Sequence, residues 1–102
     1  WIINPVAAGR FVQDFLAAAP ANKLLTFGGD YIPVEPVVGH AAIARQGLAR
    51  ALEELVSAGA LSTAEALELV EPLMRGNARR IFRLAEKERV LAAAPWAARA
   101  QP

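Results

Sequence analysis

Asp30 is the residue of this sequence whose type and position best suit chemistry. It directly follows the pair Gly28-Gly29 at the end of a short apolar run. A carboxylate at the C-terminal end of a buried strand lies where α/β barrels hold their catalytic groups. Since glycine has no Cβ, Gly28 and Gly29 would leave room for a metal ion or a substrate beside that carboxylate. The alternative is that Asp30 only caps its own loop through the backbone.

The other candidate side chains do not complete a site by themselves. His40, the only histidine, stands near the expected start of a helix and either faces the same site or makes a local hydrogen bond. One histidine and one aspartate cannot complete a zinc site, which needs three or four protein ligands. Ser57 and Ser62 fall at helix ends, which excludes a nucleophilic triad. Tyr31 and Glu35 share the aspartate's loop and either line a pocket or face solvent.

Composition narrows the classes of function. The 102 residues are 55% hydrophobic and 21% charged, which is typical of one compact soluble unit. With 11 Lys+Arg against 10 Asp+Glu, the interspersed charges create no field that would attract nucleic acid or a membrane surface. The absence of cysteine excludes disulfides and thiolate metal sites and fits a reducing cytoplasm, the location we expect. No apolar stretch has the length and composition of a targeting or membrane-spanning segment.

The expected elements are helices with one or two strands among them. Apolar spacing predicts a first helix over residues 5–19 and a second over 38–58, which Gly59 ends. Residues 23–27 are mostly apolar and flanked by asparagine and glycine, which predicts a strand buried on both faces of a parallel sheet. Residues 1–3 form a second short run that favours a strand.

The later part of the chain is expected to be helical. Ser62 and Glu65 have the spacing of a capping box that opens a third helix. Gly76 would break that helix, and Asn77 would cap a fourth. We expect five apolar side chains on these elements to be buried: Leu25, Phe27, Leu52, Leu55 and Phe82.

The predicted strands point to partners outside this sequence. A strand buried on both faces needs hydrogen-bonding neighbours along both edges, which two strands joined through a helix cannot supply. The chain also begins with Trp1 and not with Met, which suggests that the sequence continues upstream. We therefore predict an α/β fold class, namely the last one or two strands of a (β/α)₈ TIM barrel with their helices, predominantly helical as an isolated chain.

Four blocks, in order, carry a resemblance to a known family. They are residues 20–31 (PANKLLTFGGDY), 39–40 (GH), 49–56 (ARALEELV) and 76–82 (GNARRIF). Together they resemble the C-terminal part of amidohydrolase-related proteins, which are metal-dependent TIM-barrel hydrolases of the amidohydrolase superfamily. The similarity covers about residues 2–84, so that 1–84 would be the C-terminal part of the barrel and 85–102 a helical or frayed tail.

The resemblance implies a role for Asp30, because the family's aspartate at this point of the motif is a metal ligand or a proton shuttle. In such a hydrolase a divalent metal, typically zinc, activates water for attack on an amide, an ester or a lactone, and Asp30 would orient that water and move its proton. The family's other metal ligands have no counterpart here and would lie upstream of Trp1. This chain alone is therefore expected to hold no complete metal site and to be inactive.

Two other functions stay open. One is a decarboxylase of the same barrel family. The other is a non-catalytic helical module, in which the unpaired strand and the apolar helix faces serve association between copies. The expected partners are a small-molecule substrate in the parent protein, and the rest of the barrel or another copy of the chain in a homo-oligomer. Nucleic acid and membranes are not expected as partners.

Overall fold

Every regular element that the structure describes is helical. The computed structural model describes residues 4–28 and 32–96. The α-helices are α1 (Pro5–Ala18), α2 (Pro36–Ser57), α3 (Thr63–Glu71), α4 (Asn77–Ile81) and α5 (Leu84–Ala92). A 3₁₀ turn, Ala21–Lys23, follows α1, and a π-helical turn, Pro72–Gly76, connects α3 to α4.

The predicted α/β fold is therefore wrong, and the chain is not a fragment of a TIM barrel in this structure. Residues 23–27 were predicted to be a barrel strand, but Lys23 ends the 3₁₀ turn, Leu24 has extended backbone angles, and residues 24–28 form no regular secondary structure. Extended backbone becomes a strand only when neighbouring backbone pairs with it. Among the described residues the neighbours of this segment are helices, whose backbone groups are already bonded. The other predicted strand, residues 1–3, lies outside the described residues.

The first two helices begin and end where local sequence signals place them. Asn4 precedes α1, and its side-chain oxygen accepts the Ala7 N–H at 3.0 Å, while Pro5 occupies the first helical position. Helix α2 ends before Gly59, whose φ of 72° lies in the left-handed region that favours glycine. Both predicted helices are thus confirmed, within two residues at their ends.

The predicted capping box at the start of α3 is also confirmed. The Ser62 Oγ accepts the Glu65 backbone N–H at 3.2 Å, and the Glu65 carboxylate accepts the Ser62 N–H at 2.7 Å. This hydrogen bond from the Ser62 backbone holds the pKa of Glu65 below its usual value of 4.5. Two side chains that are three residues apart therefore define where α3 begins.

The core lies where α1 packs along α2, and it extends to α3 and to the turns on either side of them. The buried apolar residues of this cluster are Val12, Leu24, Leu48, Ala51, Leu52, Ala66 and Leu73. Of the side chains predicted to be buried, Leu52 is confirmed, whereas Leu55 and Phe27 are half-buried. The prediction is wrong for Leu25 and Phe82, which are 42% and 49% exposed, because no sheet layer covers them.

The molecule is elongated. Its extents are 52 × 25 × 23 Å, and its radius of gyration is 16.3 Å, compared with about 13 Å for a compact domain of 100 residues. Helix α5 buries no residue in the described structure and is tied to α4 by the Arg79–Glu88 ion pair, with two N–O distances of 2.8 Å. No helix among the described residues is long and apolar enough to span a bilayer.

Candidate functional site

Residues 24–28, here called the 24–28 segment, have no regular secondary structure and lead to the candidate aspartate. Leu24 has extended backbone angles, φ −92° and ψ 129°, and its side chain is buried in the core. The next side chain, Leu25, is exposed, and those of Thr26 and Phe27 are half-buried.

Asn77 fixes the start of this segment. It is 3% exposed, and it is the buried polar side chain of the described structure. Its Nδ2 donates to the backbone carbonyls of Ala21 and Leu24, both at 2.8 Å. An amide nitrogen carries two hydrogens, so both donors are satisfied, as a buried polar group requires. Asn77 therefore clamps the first residue of the 3₁₀ turn and the residue that follows the turn.

Thr26 and Arg80 add two further ties to the helical body. The Thr26 Oγ1 donates to the Leu73 carbonyl at 2.6 Å, and Arg80 Nη2 donates to the Asn22 carbonyl at 2.7 Å. Leu73 lies in the π-helical turn, where the Asn77 N–H bonds to a carbonyl five residues back and not four. The 24–28 segment is thus held by side-chain hydrogen bonds and not by strand pairing.

Asp30, predicted to be both the metal ligand and the catalytic residue, lies outside the described residues, as does Tyr31. The described chain stops at Gly28, which is exposed, and resumes at Ile32. Glu35 is exposed immediately before α2, and its side chain does not cap that helix. The roles assigned to Asp30 stay predictions.

His40 is half-buried in the first turns of α2. No group of three His, Cys, Asp or Glu side chains comes together in the part of the chain that the structure describes. A divalent ion needs more than one protein ligand. The described residues therefore do not form a metal site, and the zinc expected from the family resemblance would depend on ligands from elsewhere.

A cleft of about 460 Å³ lies between α1 and α2, away from the 24–28 segment. The Gln13 side chain crosses it, with Nε2 donating to Glu54 Oε2 at 2.6 Å and to the Ala51 carbonyl at 3.3 Å. Arg10 and Arg50 line the same cleft.

Sequence reasoning missed the role of Asn77 and wrongly predicted that it caps a helix. A cap needs a new helix start, but the π-helical turn carries the helix through Gly76 without a break. A signal was present, since Leu73 and Asn77 are four residues apart and lie on one helix face. A polar residue in register with a core leucine is typical of a buried side chain with specific hydrogen-bond partners.

Comparison with known proteins finds no matching family model, no matching curated protein and no matching solved structure.

Proposed function

We propose that this chain is the C-terminal part of a metal-dependent hydrolase related to the amidohydrolase superfamily, and that Asp30 is its contribution to the chemistry. One observation carries the proposal. Asn77, from the block of residues 76–82, holds the backbone of the block 20–31 through its hydrogen bonds to Ala21 and Leu24. Two of the four blocks that suggest the family, residues 20–31 and 76–82, are thus far apart in sequence and joined by hydrogen bonds.

This contact matters because chemistry needs a carboxylate whose position is restrained. The clamp acts on the turn before the 24–28 segment and, through Thr26, on the middle of that segment. These hydrogen bonds restrain the described chain as far as Thr26, four residues before Asp30 in the sequence.

Asp30 is proposed to accept a proton from the attacking water and to return it to the leaving group. The bond to be cleaved belongs to an amide, an ester or a lactone of a small-molecule substrate. No group of three candidate metal ligands comes together among the described residues, and the proposal is that ligands from outside this sequence complete the zinc site. The lack of cysteine favours the cytoplasm as the compartment.

The proposal is tested in the full-length protein with the nearly isosteric substitution Asp30→Asn. Asparagine keeps the shape but cannot accept a proton, so kcat should fall by about 10²-fold to 10⁴-fold. Glu35→Gln is the matched control, because it neutralises an exposed carboxylate of the same loop and should leave kcat unchanged. Near-normal turnover of Asp30→Asn would refute the assignment. Assaying carbon dioxide release beside hydrolysis distinguishes a decarboxylase.

A second candidate function, a helical association module, is favoured by the outer face of α3. Leu67 is 69% exposed there, and Val70 and Met74 continue its stripe at helical spacing. Arg45 and Arg75 lie beside this stripe together with Glu71, so its rim carries both signs of charge. A second copy of the chain could cover such a face in a homo-oligomer.

Light scattering on the isolated chain tests this second candidate. Self-association through α3 should be abolished by Leu67→Lys, which places a charge in the middle of the stripe. Val90→Lys, an equally exposed change on α5, should leave the association state unaltered. A monomer at all accessible concentrations would refute the association module and leave the hydrolase proposal untouched.

A further inference from the structure

The cleft between α1 and α2 has small residues where the two helices come close to each other. A Cβ placed on Gly9 would lie 3.8 Å from the Gly47 carbonyl oxygen and 3.9 Å from the Ala51 Cβ. Further along both helices, Gln13 Nε2 donates to Glu54 Oε2 at 2.6 Å. The residue numbers of the contacting pairs increase together, so the two helices run in the same direction along the cleft.

Arg10 and Arg50 occupy matching positions on the two walls of this cleft. Gln13 of α1 bonds to groups of α2 that are 38 and 41 positions further along the chain. Arg10 and Arg50 are 40 positions apart and therefore fall in the same register. Both line the cleft, one from each helix. The two arginines thus lie on opposite walls of the cleft at the same level along the helices.

Neither arginine is paired with a carboxylate in the part of the chain that the structure describes. Asp14 follows Arg10 by four positions, but the two side chains form no ion pair among the described residues. The carboxylate four positions after Arg50 is that of Glu54, and it accepts its hydrogen bond from Gln13 instead. An arginine that precedes its acidic neighbour on a helix is in the less favourable order for pairing. The cleft therefore contains two unpaired cations and one carboxylate.

We propose that this cleft binds the phosphoryl group of a small phosphorylated molecule between Arg10 and Arg50. A guanidinium is always charged and donates two parallel hydrogen bonds to a phosphate. A phosphoryl group carries a charge of about −1.5 to −2 at pH 7 and three acceptor oxygens, so that it can be bound by both arginines. A carboxylate has one charge and two oxygens, which a single arginine satisfies. Two opposed arginines therefore favour phosphate.

The rest of the cleft indicates what the phosphoryl group is attached to. Pro5, Val6 and Ile43 line the cleft on the N-terminal side of the two arginines, and they provide an apolar surface there. On the other side lies the Glu54 carboxylate, which disfavours a second anionic group. The volume of about 460 Å³ is within the range of about 300 to 1,000 Å³ that is typical of small-molecule sites. The ligand is therefore a monophosphate with an apolar body. This inference is independent of the hydrolase proposal.

The test titrates the unmodified 102-residue chain with phenyl phosphate at low ionic strength. Binding is followed by NMR shifts of the Gly9 and Gly47 amides, which lie in the cleft. Inorganic phosphate lacks the apolar body, and benzoate replaces the phosphoryl group with a carboxylate. Benzoate should bind at least about 10-fold more weakly than phenyl phosphate, because it engages only one arginine. Inorganic phosphate should also bind more weakly, because it gains nothing from the apolar surface.

Three outcomes of this titration would overturn the proposal. If phenyl phosphate shows no saturable binding at millimolar concentration, the cleft is not a phosphate site. If benzoate binds as tightly as phenyl phosphate, the two arginines do not act together on a phosphoryl group. If inorganic phosphate binds as tightly as phenyl phosphate, the ligand has no apolar body in the cleft.

Protein variants locate the binding in the cleft. Arg10→Gln and Arg50→Gln should each weaken phenyl phosphate binding by at least about 10-fold, because each removes a charge-assisted pair of hydrogen bonds. Arg45→Gln is the matched control. It removes the same charge from an exposed position of α2 that does not line the cleft, and it should leave binding unchanged.

The variants are expected to fold, because Arg10 and Arg50 are exposed and form no hydrogen bond with any described residue. Far-UV circular dichroism checks that each keeps its helices. Equal weakening by Arg45→Gln and Arg50→Gln would show attraction to the overall charge and no specific site. Unchanged binding by either folded cleft variant would likewise contradict a phosphoryl group held between the two arginines.

Discussion

The α1–α2 pair and the 24–28 segment use the same kinds of residue and are stabilised in different ways. Along α1 and α2, apolar side chains at helical spacing bury one another, and each helix satisfies its own backbone. The 24–28 segment is equally apolar, yet its backbone relies on the side chains of Asn77 and Thr26. The backbone groups of a helix bond to one another within the helix. A segment without regular structure needs partners from other parts of the chain or from solvent.

This difference explains how much could be predicted from the sequence. The start of α1 at Asn4, the capping box at Ser62 and the end of α2 at Gly59 depend on residues within one turn, and all three were predictable. The state of residues 24–28 depends on groups more than 50 positions away, such as Asn77. An apolar run of five residues fits a buried strand or an anchored segment equally well.

In the candidate site, too, local features could be predicted and long-range contacts could not. The type of residue at Asp30 and the two glycines before it could be read from the sequence, because they are local features. The register of Asn77 with Leu73 was a local signal for its burial, but its partners Ala21 and Leu24 could not be predicted, because they lie more than 50 positions away. The wrong expectation for Leu25 and Phe82 has the same origin, since burial depends on which layer lies opposite.

The largest expected effect on stability comes from the α1–α2 core. Leu52→Ala removes a buried side chain from the α1–α2 core and should lower the free energy of unfolding by about 2 to 5 kcal/mol. Leu25→Ala is the matched change in the 24–28 segment, and its cost should stay within about 1 kcal/mol because the side chain is exposed. Denaturant titration measures both. Similar losses of unfolding free energy for Leu52→Ala and Leu25→Ala would contradict the distinction between the buried core and the 24–28 segment.

A smaller effect is expected from removal of the clamp. Asn77→Ala takes away both donors and leaves the Leu24 carbonyl without a partner, while the Ala21 carbonyl keeps the Leu24 N–H. One unsatisfied buried carbonyl should cost about 1 to 3 kcal/mol. Asn22→Ala, at an exposed position of the same turn, should stay within about 0.5 kcal/mol. Thermal unfolding measures both variants. If Asn77→Ala lowers the free energy of unfolding by less than about 0.5 kcal/mol, the clamp does not stabilise the fold.

Removal of the capping box at the start of α3 should have a smaller, local effect on stability. Ser62→Ala should destabilise the chain by about 1 kcal/mol, because the Glu65 N–H loses its acceptor. Ser57→Ala, at the exposed C-terminal end of α2, should remain within about 0.5 kcal/mol. Chemical denaturation at pH 7 measures both variants. Equal stabilities of Ser62→Ala and the unmodified chain would contradict the cap.

The smallest effect is the pH dependence of that cap. The pKa of Glu65 is lower in the folded chain than its usual 4.5, so the carboxylate stabilises the fold above pH 4.5 and loses this contribution as the pH falls through the lower folded value. The stability difference between the unmodified chain and Glu65→Gln should therefore shrink on acidification. If this stability difference grew as the pH fell, the folded chain would not favour the ionised Glu65 carboxylate, and the prediction would be wrong.

Native-state hydrogen exchange measured by NMR tests the contrast between the two regions most directly. The amides of Leu48 and Leu52 in α2 should exchange only through global unfolding, and the Leu24 amide, bonded to Ala21, should show measurable protection. The amides of Leu25 and Phe27 should exchange at rates close to those of an unstructured peptide. Protection of Leu25 and Phe27 equal to that of α2 would mean that these two amides are hydrogen-bonded in the folded chain, and it would contradict the account.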